Sequence, residues 1–305
     1  MAPVIELLSE ALEQYSPTAR PVLRDLVLDP SFHGVISKGD IGGLATALGV
    51  HEPEVPLALV PLAACYAMPP ISRFHVGAVG TGRTTGDLYF GANFEFPGAS
   101  LGMSVHAEQA VTTNAWLRGE NGLTAIAVSA LPCGYCRQFL YELTTAEMLQ
   151  VVTKKHGTHP LPDLLLLPFG PGDLGKTERL MAPDSHNLQL FESNDAVVLA
   201  ALDAANLSYA PYSGGFAGVA LETPGGDVFE GRYAENAAFN PSMSPLASAL
   251  TTWSLDGARD PVMRAVLVQV SSAVDHVAVA EVLLEAVSPI ELEVYTATTP
   301  PPPSP

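Results

Sequence analysis

The chain has 305 residues, of which 48% are hydrophobic and 15% are charged, and its formal net charge is −18. This length suffices for two domains with their own cores, and the hydrophobic fraction excludes a globally disordered chain. The acidic balance disfavours nucleic acid as a partner, because phosphate backbones are bound through clustered cations, and it favours a small neutral substrate. The sequence contains neither an 18-residue uninterrupted apolar run nor a signal-peptide pattern. We therefore expect a cytoplasmic protein without a membrane partner.

Residues 1–50 are predicted to form an N-terminal helical segment. Apolar residues recur there at helical spacing around Leu8 and again around Leu23. Asp40 is interpreted as the cap of a further helix, and another apolar helix is expected over residues 54–68. Cys65, in this last apolar stretch, is predicted to be a buried free thiol. With only three cysteines in the chain, a disulfide framework is not expected, which fits a reducing compartment.

Residues 51–150 are predicted to form an α/β domain that carries the chemistry. A hairpin is expected from residues 74–80 and 88–93, on either side of a glycine-rich turn. A helix capped by Ser104, a buried strand over 123–129 and a helix over 134–143 follow. The order β-β-α-β-α places the starts of both helices at one edge of the sheet, where α/β folds usually bind ligands.

The segment 151–194 is rich in proline and glycine and is interpreted as a connector with one strand at residues 164–167. Residues 195–297 then repeat the earlier pattern, since 211–213 and 217–220 resemble 70–72 and 76–79. A repeat that keeps its core pattern still buries surface, so this copy is expected to pack and to shape the site. Residues 298–305 form a proline-rich tail.

The second copy is predicted to be non-catalytic. Gly231 and Glu235 match Gly91 and Glu95, but eleven residues beyond Glu235 stands Leu246, where the first copy has His106. By the same count Ser248 falls at the position of Glu108, and no cysteine occurs after Cys136.

Two short motifs, 27 residues apart, point to a metal site. His106 and Glu108 form an H-x-E motif, and Cys133 and Cys136 lie in the motif P-C-x-x-C after Pro132. An imidazole and two thiolates make a zinc site with three protein ligands, which leaves a fourth position for water. The cysteines lie on the same side of a helical turn, and a helix N-terminus stabilises thiolates.

Glu108 is predicted to be a proton carrier and not a ligand. Side chains at i and i+2 diverge on a helix, so the carboxylate is better placed to move the proton of a water bound at the metal. The alternative is a closed structural zinc site or two ordinary buried cysteines. The accompanying H-x-E motif and the absence of further ligand pairs at zinc-finger spacing favour a catalytic site.

These motifs resemble those of the cytidine deaminase family, in its two-domain homodimeric branch. The resemblance covers residues 55–270, and its sequences are F-x-V-G-A at Phe74, G-A-N-F-E-F at Gly91, V-H-A-E-Q at Val105, P-C-G-Y-C-R-Q-F at Pro132 and Y-A-E-N-A-A-F-N-P at Tyr233. It implies three-layer α/β/α sandwiches, one catalytic and one degenerate. It also implies zinc as the cofactor and hydrolysis of cytidine and 2′-deoxycytidine to the uridines and ammonia, as in pyrimidine salvage.

The resemblance also implies roles for residues of the site. His106, Cys133 and Cys136 would hold zinc, and Glu108 would protonate N3 of the base and then the departing ammonia. The substrate-binding residues would be Phe74 against the base, Asn93 and Glu95 on the ribose hydroxyl, Ala107, and the connector residue Phe169.

Phe169 matches an aromatic residue that closes the pocket of the partner subunit in this family. The segment 233–241 resembles the partner-facing part of the degenerate domain, so a homodimer with shared sites is implied. Two alternatives stay open: a deaminase that acts on polynucleotides, which should carry a basic groove, and a catalytically inactive binding or scaffold protein that keeps zinc structurally. Glu235 is interpreted either as a remnant without a role or as a dimer contact.

Overall fold

Two mixed β-sheets with helices on both faces organise the chain in this computed structural model, which describes residues 4–191, 193–256 and 259–299. The helices are α1 (Val4–Leu12), α2 (Ala19–Val27), α3 (Lys38–Leu48), α4 (Val55–Ala64), α5 (Ala107–Leu117), α6 (Gly134–Leu140), α7 (Leu161–Leu164), α8 (Ala196–Asn206), α9 (Pro245–Ser254) and α10 (Val277–Glu285). The strands are β1 (Val35–Ile36), β2 (Gly77–Gly82), β3 (Leu88–Ala92), β4 (Leu123–Val128), β5 (Gln150–Thr153), β6 (Gly157–Pro160), β7 (Ala217–Glu222), β8 (Val228–Arg232), β9 (Arg264–Val270) and β10 (Leu292–Ala297). Residues 300–305 of the proline-rich tail lie outside the described residues.

The first sheet has the strand order β1-β3-β2-β4-β5-β6. Only β4 and β5 run parallel, and the chain between them forms α6. Helix α4 packs on one face of the sheet, and α5 packs on the other. This arrangement confirms the predicted three-layer α/β/α unit.

The second sheet has the order β10-β9-β7-β8 and repeats the central four strands of the first. Strands β9 and β10 are parallel, like β4 and β5 of the first sheet. The other pairs, β7 with β8 and β7 with β9, are antiparallel, like β2 with β3 and β2 with β4. Helix α8 takes the place of α4, and α9 takes the place of α5. The repeat read from the sequence is therefore a structural repeat.

Successive side chains of a strand point to opposite faces of the sheet, so the two faces contribute to two separate hydrophobic cores. Ile126 and Val128 face a core that is shared by both units, whereas Ala127 between them faces the N-terminal helices. Helix α5 packs against α9 inside the shared core. The two units therefore meet through the helices that follow β3 and β8, and the helix that begins with the H-x-E motif lies at this junction.

Some predicted elements differ from the structure. Helix α3 begins at Lys38, so Asp40 lies in its first turn, where it accepts a hydrogen bond from the Ser37 hydroxyl at 2.7 Å. The strand predicted at residues 164–167 is wrong, because α7 ends there. The strands of that region are β5 and β6, which pair with each other and extend the first sheet to residue 160.

The predicted cap at Ser104 is also wrong. Val105 still pairs with Phe94 in an antiparallel bridge, which keeps the backbone extended for one more residue. The N-cap is therefore His106, with φ −90° and ψ 156°. Cys65 is buried at the end of α4, as predicted. Within the described ranges no helix is both long enough and apolar enough to cross a bilayer.

Candidate metal centre

The position of His106 follows from the close packing of α5 on the first sheet. A Cβ atom on Gly91 of β3 would lie 2.2 Å from the backbone nitrogen of Val111 and 2.8 Å from the carbonyl oxygen of Ala107. Only glycine allows this approach. The His106 N–H donates to Oε1 of Gln109 at 3.2 Å, in the manner of a capping box, which fixes the backbone that carries the imidazole.

The two cysteines lie at the start of α6. Cys133 is the N-cap residue, and Cys136 lies one turn into the helix. The guanidinium of Arg137 donates to the carbonyl oxygens of Pro132 at 2.8 Å and Leu164 at 2.9 Å, which ties the loop before the helix to α7. This local structure agrees with the prediction that the C-x-x-C motif opens a helix.

His106, Cys133 and Cys136 form a group whose ligand atoms lie within 4.8 Å of one another. The Cys133 sulfur lies 3.6 Å from the Cys136 sulfur and 3.6 Å from Nδ1 of His106, and the Cys136 sulfur lies 3.2 Å from the same nitrogen. Tetrahedral zinc with its usual bond lengths to sulfur and nitrogen requires separations of about 3.8 and 3.6 Å. These three residues therefore fit zinc in both chemistry and spacing.

The electrostatics of the two thiols differ because they are hydrogen-bonded to each other. Hydrogen bonding to the Cys136 thiol, together with backbone N–H groups of the helix start and the nearby His106, lowers the pKa of Cys133 to about 5, against the opposing effect of burial. The same contact and burial raise the pKa of the more deeply buried Cys136. A thiolate is the form that binds a metal.

Glu108 is only 4% exposed and lies beside this group, although it is not one of its members. Burial raises the pKa of Glu108, while hydrogen bonds and the nearby His106 act in the other direction. A carboxylic acid with a raised pKa can both accept and return a proton near neutral pH.

A cavity of about 270 Å³ opens onto the metal group and gathers most of the predicted site. Among the predicted residues, Phe74, Asn93, Glu95, Ala107 and Glu108 line it together with the ligands His106 and Cys133. Phe74 is 61% exposed.

The loop before β2 is held by two side chains of the cavity. Oε2 of Glu95 accepts hydrogen bonds from the backbone N–H groups of Ile71 and Ser72, both at 2.9 Å. Partial burial opposes ionisation of Glu95, but the hydrogen bonds from Ser72 and Ile71 outweigh it and lower the pKa of Glu95. Asn93 accepts from the N–H of Val76 at 2.8 Å and donates to the carbonyl oxygen of Phe74 at 2.9 Å.

Sequence reasoning assigned no role in the site to six residues that line the cavity, which are Ser72, Val76, Ser104, Val105, Ala130 and Leu131. The hydroxyl of Ser72 donates to Oε1 of Glu95. A signal for Ser72 existed, because residues 70–72 recur at 211–213, but the repeat gave it no chemical role.

Phe169 is not among the residues that line this cavity. It lies in the connector, 44% exposed, and its carbonyl oxygen accepts a hydrogen bond from Nε2 of Gln138 at 2.7 Å. The segment 233–241 contacts the catalytic unit of the same chain, since Asn236 donates to the carbonyl oxygen of Gln138 at 3.0 Å.

The second unit has no equivalent metal group among the described residues. Phe94 and Val105 pair eleven residues apart, whereas the matching bridge between Ala234 and Met243 spans nine. The connecting loop is thus two residues shorter, and the count that placed Leu246 and Ser248 opposite His106 and Glu108 is wrong.

The structural equivalents follow from the N-caps of α5 and α9. Ser244 stands at the N-cap position that His106 occupies in the first unit, and Leu246 stands at the place of Glu108. Glu235 accepts hydrogen bonds from the N–H groups of Tyr212 at 2.7 Å and Ser213 at 3.2 Å, as Glu95 does in the first unit. Glu235 is therefore a loop anchor within its own chain.

This chain is similar to a protein family, to curated relatives and, over part of its length, to a solved structure. Residues 53–152 and 161–281 each match a family model described as cytidine and deoxycytidylate deaminase zinc-binding region. A cytidine deaminase of Aliivibrio fischeri is 42% identical over 92% of this chain and 95% of its own length, and one of Shewanella halifaxensis is 46% identical over 88% and 90%. A crystal structure of cytidine deaminase from Mycobacterium tuberculosis, 33% identical, covers 35% of this chain and 89% of its own with a TM-score of 0.32.

Proposed function

This chain belongs to the cytidine deaminase family, and from that premise we propose that it hydrolyses cytidine and 2′-deoxycytidine to uridine and 2′-deoxyuridine with release of ammonia. The observation that carries the proposal is the triangle of His106, Cys133 and Cys136 at the base of a cavity, with the buried Glu108 beside it. A metal group that faces a cavity and leaves room beside an acid is typical of catalysis, whereas a structural zinc site is closed by four protein ligands.

The metal and Glu108 divide the chemical work. His106, Cys133 and Cys136 would hold zinc, which would supply the Lewis acidity that makes water nucleophilic at neutral pH. The carboxylate of Glu108 takes the proton that the attacking water releases and delivers it to N3 of the cytosine ring. It then takes the proton of the new hydroxyl at C4 and passes it to the amino group, so that the C4–N bond breaks, ammonia leaves and the C4 carbonyl of the uridine forms. Burial of Glu108 suits this shuttle, because its raised pKa lies closer to the working pH.

The remaining residues of the cavity recognise the nucleoside. Phe74 packs its exposed ring against the base, and Ala107 borders the base at the first turn of α5. Asn93 and Glu95 hydrogen-bond a ribose hydroxyl. Their contacts to the 71–76 loop support this role, because they hold both side chains in place before the substrate arrives. Pre-organised polar groups discriminate strongly against ligands that would leave them unpaired.

The charges of the cavity favour a nucleoside over a phosphorylated substrate or a polynucleotide. Its described lining includes the acids Glu95 and Glu108 and contains no lysine or arginine. The net charge of −18 acts in the same direction. An excess of single-stranded DNA or RNA should therefore leave cytidine turnover unchanged, and strong inhibition would favour the polynucleotide alternative.

We further propose a homodimer in which Phe169 of each subunit closes the cavity of the other. The position of Phe169 supports this arrangement, because the residue is partly exposed and does not line the cavity of its own chain. Next to it, Leu166 and Leu167 expose 80% and 99% of their surface, which is unusual for an apolar pair in a soluble monomer. The expected species is a dimer by light scattering, and Phe169→Ala should raise KM for cytidine more than it lowers kcat.

Glu108→Gln tests the central assignment. The amide fills the same space but cannot carry a proton, so turnover should fall by about 10⁴-fold. The zinc content should stay near that of the wild type, because Glu108 is not a ligand. Ammonia release from cytidine and metal analysis of the same preparation measure both quantities. A variant that deaminates cytidine at near the wild-type rate would overturn the role of Glu108, and a wild-type protein that releases no ammonia would favour the inactive scaffold.

A further inference from the structure

A buried carboxylate that takes no part in the proposed reaction lies directly behind the metal-binding helix. Glu142 follows α6, the helix that begins with Cys133, and its side chain is fully buried. It is absent from the lining of the cavity at the metal group. Burying an ionisable group is unfavourable unless its oxygens receive hydrogen bonds, so a carboxylate at this position calls for an explanation.

The partners of Glu142 come from the second unit. Its Oε1 accepts hydrogen bonds from the hydroxyl groups of Tyr209, at 2.8 Å, and Tyr212, and its Oε2 accepts one from the N–H of Ala237 at 3.1 Å. Tyr209 is itself fixed to the second sheet region, because its N–H donates to the carbonyl oxygen of Tyr233 at 2.9 Å. Three donors of the degenerate unit therefore converge on one residue of the catalytic unit.

A second contact attaches the same helix to the same unit. Asn236 donates to the backbone carbonyl oxygen of Gln138 at 3.0 Å, and the side-chain amide of Gln138 lies 3.4 Å from Oδ1 of Asn236. Helix α6 has only seven residues, and Glu142 lies two residues beyond its end, where its N–H donates to the carbonyl oxygen of Phe139 at 3.1 Å. These contacts therefore hold the C-terminal end of the short helix that starts at the cysteines. A tilt at its C-terminal end must move the sulfur atoms at its N-terminal end.

We propose that Glu142 is a positioning residue for the metal centre, through which the degenerate unit fixes α6 and with it the sulfur atoms of Cys133 and Cys136. The inference rests on the proposed function, since it concerns the zinc site of that reaction. Metal sites tolerate deviations of only about 0.2 Å in their ligand distances, so a small displacement of α6 weakens zinc binding. The second unit then contributes to catalysis without touching the substrate.

Glu120 offers a matched control. It is also a buried carboxylate, 1% exposed, and it accepts hydrogen bonds from the backbone N–H groups of Thr84 and Thr85 and from the Tyr89 hydroxyl. These partners belong to the β2–β3 turn and to β3, so the hydrogen bonds of Glu120 reach neither α6 nor the second unit. Glu120 follows α5, but this helix has eleven residues and its N-terminal half is packed closely on Gly91, which fixes His106 independently of Glu120. Loss of Glu120 should therefore lower stability and leave the metal ligands in place.

The experiment compares Glu142→Gln with Glu120→Gln in the full-length, zinc-loaded protein. An amide nitrogen cannot accept a hydrogen bond, so each variant leaves at least one donor unpaired and both should lower the melting temperature. Only Glu142→Gln should accelerate the loss of zinc to a chromophoric chelator, by about tenfold. The assay is run well below the melting temperatures of both variants.

A milder pair covers the case in which Glu142→Gln does not fold. Tyr212→Phe removes one donor to Glu142, and Tyr89→Phe removes one donor to Glu120. Faster zinc loss in Tyr212→Phe alone supports the proposal. Equal zinc retention in both members of a pair, with similar losses of stability, would overturn it and make Glu142 a purely structural contact. A wild-type protein that holds no zinc would overturn the proposed function itself, which is a different result.

Discussion

The second α/β unit of this chain repeats the central strand order and the helix positions of the first, yet among the residues that the structure describes only the first unit gathers a metal group. At the N-cap of α5 the first unit has His106 where the second has Ser244, and at the N-cap of α6 it has Cys133 where α10 begins after His276. The scaffold of such a unit therefore depends on its core and its glycines, while the chemistry depends on a few residues at helix starts.

The residue that corresponds to Asn93 of the cavity has different contacts in the second unit. The ring of Tyr233 lies edge-on to the imidazole of His276, with 4.4 Å between the ring centroids, and its hydroxyl points to Glu235. Asn93 occupies the place of Tyr233 in the first unit and leaves the cavity open. The second unit thus packs a tyrosine against a histidine at the place where the first unit has an amide that lines a cavity.

The largest expected difference between the units concerns the metal. Cys136→Ala should abolish zinc binding and lower cytidine turnover by more than about 10³-fold, because two ligands cannot hold zinc at this site. The matched variant His276→Gln, at the corresponding helix start, should keep its full zinc content. Metal analysis of both purified variants checks the prediction, and zinc retained by Cys136→Ala would contradict the assignment of ligands.

The close packing of helix on sheet should matter in both units, but with different consequences. A Cβ atom on Gly231 would lie 2.2 Å from the backbone nitrogen of Ala249, as one on Gly91 would from that of Val111. Gly91→Ala and Gly231→Ala should each lower the free energy of unfolding by about 3 kcal/mol. Only Gly91→Ala displaces α5 and His106, so only this variant should lose zinc readily. Equal zinc loss from both variants would refute that distinction.

Glu95 and Glu235 accept hydrogen bonds from equivalent loops of the two units, at residues 71–72 and 212–213. Comparing variants of the two therefore distinguishes a role in substrate binding from a role in holding the loop. Glu95→Gln should lower kcat/KM for cytidine about thirtyfold, since a hydrogen bond to a charged group contributes about 2 kcal/mol. Glu235→Gln should leave kcat/KM unchanged and lower only the melting temperature. Steady-state kinetics and thermal unfolding of the two variants measure this. A similar loss of kcat/KM in both would assign the effect of Glu95 to its loop alone.

The smallest expected effect is a pH dependence of stability from the second unit. Burial lowers the pKa of His276, against the opposing influence of its hydrogen bond to the carbonyl oxygen of Gly215 and of the acids Asp275 and Glu235. The unfolded chain takes up this proton near pH 6.5 and the folded chain only at lower pH. The contribution of His276 is therefore complete above pH 6.5 and is lost as the pH falls towards the folded pKa.

His276→Gln tests this contribution through urea unfolding between pH 5 and 8. The variant should lose about 1 kcal/mol at pH 7 with the hydrogen bond to Gly215, and its stability should fall less steeply below pH 6.5 than that of the wild type. Parallel curves for the two proteins would show that His276 does not titrate differently in the folded state.

Much of the fold was predictable because local patterns decide it. Helical spacing near Leu8 and Leu23 and the buried run of β4 gave elements of the correct type, and the repeated glycines revealed the second unit. The predicted ends of helices and strands were wrong where a contact with a distant segment determines them. Because Val105 pairs with Phe94, the N-cap of α5 is His106 and not the predicted Ser104. Residues 150–153 form a strand because they pair with β4, and residues 157–160 form one because they pair with β5.

The sequence by itself determined the chemistry of this protein, because zinc requires particular side chains and the motifs around His106 and Cys133 supply them at fixed spacing. Only the tertiary structure decided which residues share the site. In the structure, Ser72 donates a hydrogen bond to Glu95, and Glu142 accepts one from Tyr209 of the second unit. The structure also shows that Ser244 is the equivalent of His106, because the loop before α9 is shorter. The physical reason is that ligand identity is a local property, whereas contacts between distant segments depend on how two sheets and their helices pack.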